Sequence, residues 1–146
     1  MDAIATILSN KYVYVPFVLW LLIQTYKVIH ELIKNRKFNF KRIMGAGGMP
    51  SSHAAAVCAL CVLIGRYEGL ETSSFGISLI FALVVMYDAA GVRRAAGKQA
   101  AVLNRIIETP NLTSVQVQEK LVEFLGHTPF QVIVGAIIGI ITGFIF

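Results

Sequence analysis

At 146 residues, with 56% hydrophobic and only 14% charged side chains, the chain has the length of one domain and a composition foreign to soluble globular proteins. Such a composition belongs in a membrane. The formal charge of +5 matters by its placement more than by its sum, and nucleic acid is not an expected partner.

Met1 to Asn10 lacks the basic start and small-residue cleavage site of a signal peptide, so the apolar run that follows is expected to be retained. That run, from about Tyr12 to Ile33, is close to the roughly 20 residues a helix needs to cross hydrocarbon. Its inner end carries Lys27, His30, Glu31 and Lys34 on one helical face. A basic connector with Lys34, Arg36, Lys37, Lys41 and Arg42 leads to Gly47-Gly48-Met49-Pro50-Ser51-Ser52-His53. The glycines open backbone angles closed to other residues, Pro50 suits the first position of a helix, and a helix start presents unpaired N–H groups and the positive end of its dipole. Gly48, Ser51 and Ser52 are therefore candidate phosphate ligands, and His53 is placed to exchange a proton near neutral pH. A well-capped helix with a histidine facing a headgroup is the plainer reading of the same residues.

The second span is expected over about residues 50–65, rich in small residues and short for a crossing. Cys58 and Cys61 within it read as packing residues. A short connector leads to the third span, about 75–90, which ends in Asp88-Ala89-Ala90-Gly91-Val92-Arg93-Arg94 at a membrane boundary. Residues 95–125 turn amphipathic, are split at Thr109-Pro110-Asn111, and are expected to lie along the membrane surface. The last span, about 128–146, opens with Gly126-His127-Thr128-Pro129, where Thr128 is a plausible N-cap. Gly135, Gly139 and Gly143 give it one small-residue face, which suggests close packing, between subunits if the protein is a homodimer.

Lysines and arginines concentrate in the connectors 34–49 and 91–126, against Lys11 and Arg66 on the other side. Both termini are thus expected outside, with His53, Asp88, Arg93, Arg94 and His127 at the cytoplasmic ends of their helices, in a plasma-membrane protein.

Two histidines at two helix starts permit phosphoryl transfer, which needs a nucleophile, a proton donor for the leaving oxygen and fixed positive charge. Arg93 and Arg94 can clamp phosphate bidentately, Lys27 and Lys98 can add charge, and Asp88 can orient an imidazole or an arginine. Arg93, Arg94 and Lys98 also read as positive-inside anchors, Lys27 as a partner of Glu31, and Asp88 as half of a structural ion pair.

Pro50-Ser51-Ser52-His53 resembles the Pro-Ser-Gly-His motif of the type 2 phosphatidic acid phosphatase superfamily, which includes vanadium haloperoxidases, and the whole chain is similar to a small divergent branch of it. The carriers are residues 47–53, residues 88–94 with Gly97 and Gln99, and residues 125–129. The resemblance implies a metal-independent phosphatase without a cofactor, in which His127 attacks phosphorus, His53 protonates the leaving alcohol, and Ser51, Ser52 and nearby amides bind phosphate oxygens. Where the superfamily's third motif sets an arginine and an acid around the nucleophile, this chain has Leu121 and Gln131; Arg93 or Arg94 and Asp88 are the candidates to replace them. The expectation is an all-α integral membrane bundle of about four spans that hydrolyses a lipid or isoprenoid phosphate, or that binds a phosphorylated lipid without turnover.

Overall fold

The computed structural model of the chain describes residues 3–35, 48–108 and 126–146. The chain is all-α: α1 Ala3–Ser9, α2 Lys11–Asn35, α3 Ser52–Tyr67, α4 Ser73–Ala90, α5 Val92–Glu108 and α6 Pro129–Ile145. The basic connector from Arg36, Gly47, the turn at Thr109-Pro110-Asn111, and Leu121 lie outside the described residues.

Two runs, Lys11–Lys34 and Ser73–Ile106, are long and apolar enough to cross a membrane, and only 33% and 17% of their apolar windows are buried. A soluble core helix would bury most of such a surface; α4 instead turns Ile77, Ile80, Phe81 and Val84 outward. At 16 and 17 residues, α3 and α6 are shorter. A rise of about 1.5 Å per residue makes each roughly 25 Å long.

α3 is the central helix. Its small side chains let three neighbours approach: Ala55 and Ala59 meet Leu19 and Ile23 of α2 with Ile138 of α6, Ala54 meets Ala89 of α4 and Val132 of α6, and Val57 and Cys61 meet Ala82 of α4. Cys58 and Cys61 are buried free thiols. α2 runs antiparallel to α3, and α6 runs parallel to it.

The glycine face of α6 is spent inside the chain. Cβ atoms built at Gly135, Gly139 and Gly143 would strike the carbonyl oxygens of Ser51 and Ala55 and the side chain of Val62, with the carbonyl oxygen of Ala59 at 3.0 Å from the last. The face that the sequence suggests for packing between subunits is therefore filled by α3. Only glycine lets two backbones meet this closely.

At the end remote from the histidines, Arg66 Nη1 donates to the carbonyls of Gly143 (2.8 Å) and Phe144 (2.7 Å), occupying acceptors that the last turn of α6 leaves open. The Lys11 ammonium lies over the Tyr67 ring at the same end.

Candidate functional site

The site forms where α3 and α6 begin together and α4 ends. The helix starts at Ser52, two residues later than Pro50 at its first position would place it, because Ser51 caps it: the Ser51 hydroxyl accepts from Ala54 N at 3.3 Å, a role proline cannot fill. Ser51 N donates to the carbonyl of Gln131 (3.1 Å), tying the first turn of α3 to the first turn of α6. Gly48, with φ of 80°, uses the left-handed region that favours glycine.

α6 starts with a capping box. Gln131 N donates to the Thr128 hydroxyl at 3.3 Å, and Thr128 N donates to Gln131 Oε1 at 3.0 Å. Gln131, which stands where the superfamily pattern sets an acid, thus serves the helix start that carries His127. The histidine is held from the other side as well. α4 stops at Gly91, the carbonyl of Ala89 is left in the open last turn, and His127 N donates to it at 2.9 Å. Gly126, with φ of 91°, lies against the backbone of Arg93 and Arg94, with Arg93 C 2.7 Å from where a Cβ would stand.

His127 is 2% exposed, and neither of its ring nitrogens has a hydrogen-bond partner among the described residues. Buried polar atoms are seldom left unsatisfied in folded proteins, and a catalytic role is one of the reasons for an exception. The half-buried His53 ring stands edge-on to it, with centroids 6.4 Å apart. Burial first, then the positive charges of Lys27, His53 and Arg93, push the His127 imidazole down from 6.5 to about 4. Near neutral pH it is therefore uncharged, the form in which a ring nitrogen has a lone pair to offer.

Lys27, a span residue from the sequence, is buried beside this pair at 6% exposure. Arg93 Nε contacts Asp88 Oδ2 at 2.5 Å, so Asp88 is paired with the arginine. Asp88 acts electrostatically on His53 together with Arg93 and Lys27, whereas the charges acting on His127 are Lys27, His53 and Arg93. Arg94 and Lys98 are exposed on α5. Ser51 and Ser52 are buried, and the Ser52 hydroxyl donates to Gln24 Oε1 (3.3 Å), so both serines are engaged within the bundle. Gln24 is a residue that sequence reasoning missed; it sits three residues before Lys27 on one face of α2, and nothing local in the sequence marks it as the partner of Ser52. Among the described residues no group of three or more His, Cys, Asp or Glu side chains is arranged to hold a metal ion.

The family model described as "Divergent PAP2 family" matches residues 8–142. The chain belongs to the Divergent PAP2 family. It is also 40% identical over 129 residues, covering 81% of this chain and 82% of the other, to a Bacillus subtilis (strain 168) protein described as "Uncharacterized membrane protein YuiD". No solved structure matches the chain. Family, relative and lipid-facing helices together make it an all-helical membrane protein of the Divergent PAP2 family.

Proposed function

We propose that this Divergent PAP2 protein is a phosphatase acting on a lipid or isoprenoid phosphate through a phosphohistidine at His127. The observation that carries the reading is a buried, neutral imidazole with both nitrogens unpartnered among the described residues, facing a second imidazole and flanked by Lys27 and Arg93. A binding site for phosphate needs cations; a pair of imidazoles suits proton and phosphoryl transfer.

Reacting groups approach to roughly 3 Å, so two rings with centroids 6.4 Å apart can both reach one phosphoryl group. In the first step a His127 nitrogen forms the N–P bond while the P–O bond to the alcohol breaks, and protonated His53 gives its proton to the departing oxygen. In the second, water attacks phosphorus, His53 takes its proton, the N–P bond breaks and phosphate leaves. Lys27 and Arg93, with the amides of Ser52 and His53 that helix geometry leaves unpaired, supply charge and donors for the equatorial oxygens. Asp88 acts by orienting Arg93.

The lysine and arginine asymmetry supports a cytoplasmic face for the site; the reading includes four spans, α2, α3, α4 and α6, within one membrane domain, and the plasma membrane as its location. A homodimer is compatible with this arrangement but does not use the glycine face.

The test is phosphate release by the purified protein from a panel of lipid and isoprenoid phosphates, with chelator present, beside His127→Ala. Release that requires His127, with an acid-labile phosphoprotein trapped during turnover, is the expected result. Tight binding of the same lipids with no release by the parent protein would refute it in favour of non-catalytic lipid binding.

A further inference from the structure

α5 has three faces, and only one is buried. At 100° per residue, Gly97, Ala100 and Asn104 share the buried face. Val92, Val102, Leu103 and Ile106, with the exposed Gln99 among them, form a second face, and the four apolar side chains are 48–59% exposed. Arg94, Lys98 and Arg105, all exposed, form a narrow row between the two. The helix begins one residue after α4, whose lipid-facing side chains continue to Tyr87, so α5 starts at the level of the membrane boundary.

We infer that α5 lies in the membrane interface and recognises anionic lipid headgroups through Arg94, Lys98 and Arg105, with its apolar row in the upper acyl layer. An exposed apolar row on a helix attached directly to a lipid-facing one needs hydrocarbon, and a cationic row along its edge meets the plane of the phosphates. The occupant is an anionic bilayer surface, identified by that charge and by the continuity with α4. The inference is independent of the reaction proposed at His127.

The experiment uses the full chain in vesicles of phosphatidylcholine with phosphatidylglycerol. Trp20, the sole tryptophan, is replaced by phenylalanine, and Val102→Trp supplies a probe on the apolar row. Fluorescence is then quenched with brominated phosphatidylglycerol or brominated phosphatidylcholine at equal mole fraction. The expected result is quenching by both, stronger by the anionic lipid by roughly threefold, given that each surface cation favours anionic lipid appreciably. Arg94→Gln, Lys98→Gln and Arg105→Gln together should bring the ratio towards one, as should high salt, while quenching by phosphatidylcholine persists. Equal quenching by the two lipids in the parent background would overturn headgroup recognition. Absence of quenching by either would overturn interfacial placement and indicate a protein covering that face.

Discussion

Gly139→Ala tests the packing that sets the site. A Cβ at Gly139 would stand 2.9 Å from Ala55 C and 3.0 Å from Ala55 Cα, with the carbonyl oxygen closer still, and all three are backbone atoms that cannot rotate aside. To reach ordinary contact α3 and α6 must part by on the order of 1 Å, a gap that forfeits a quarter to a half of each dispersion contact across it. Helix propensity favours alanine by up to about 1 kcal/mol, whereas overpacking of a tight contact costs ~1–3 kcal/mol and more against backbone, so a net loss of about 2 kcal/mol is expected. Gly76 is the control: nothing lies within 4 Å of its Cβ position, and only the propensity gain applies. Thermal unfolding in detergent, followed by a thiol-reactive dye that reports exposure of Cys58 and Cys61, should show Gly139→Ala melting about 4–8 °C below the parent and Gly76→Ala at or above it. Equal melting of the two variants would refute the close α3–α6 approach.

Removing the Thr128 hydroxyl or the Gln131 amide should each destabilise α6 by about 1 kcal/mol, and the double variant by less than the sum, since each side chain serves the same two-bond box; additive losses in denaturant unfolding would argue against that box. His127 should make stability depend on pH. Its folded-state value near 4 lies below 6.5, so the unfolded chain binds the extra proton between those limits; the contribution is complete above about pH 6.5 and is lost as pH falls towards 4. Unfolding of the parent relative to His127→Gln should diverge in that window, and parallel profiles would show that the imidazole is not held neutral. Arg93 and Asp88 are 44% and 35% exposed, and a double-mutant cycle between Arg93→Gln and Asp88→Asn should return only about 0.5–1 kcal/mol in stability. A much larger coupling would place the pair in a drier setting than its exposure implies.

The chain's helical, membrane-facing character was legible because apolar runs and their breaks are local properties: Thr128 before Pro129, the glycine pair before His53 and the three glycines of α6 each announce a helix start or a close contact. What those glycines contact is not local, and the answer, α3 of the same chain, depends on which helices run parallel. Pro50 and Ser51 competed for the same helix start, and the residue able to accept an N–H became the cap. The histidines were legible as a pair from their matching contexts. Gln24 and the engagement of Ser52 were not, because a buried polar contact 28 residues apart in sequence leaves no periodic trace. Short α1 escaped notice because seven residues carry too little pattern.

The three glycines of α6 recur every four residues, and so do the carbonyls of Ser51, Ala55 and Ala59 that they meet. The two helices therefore mesh like a toothed rack. A slide of one residue would set Ala136, Ile140 and Phe144 against those carbonyls, which their side chains forbid. A slide of four restores the mesh with one tooth fewer, but at about 1.5 Å per residue it carries His127 some 6 Å from its place beside His53. Axial register, not side-chain rotation alone, is then the coordinate that assembles or dismantles the imidazole pair.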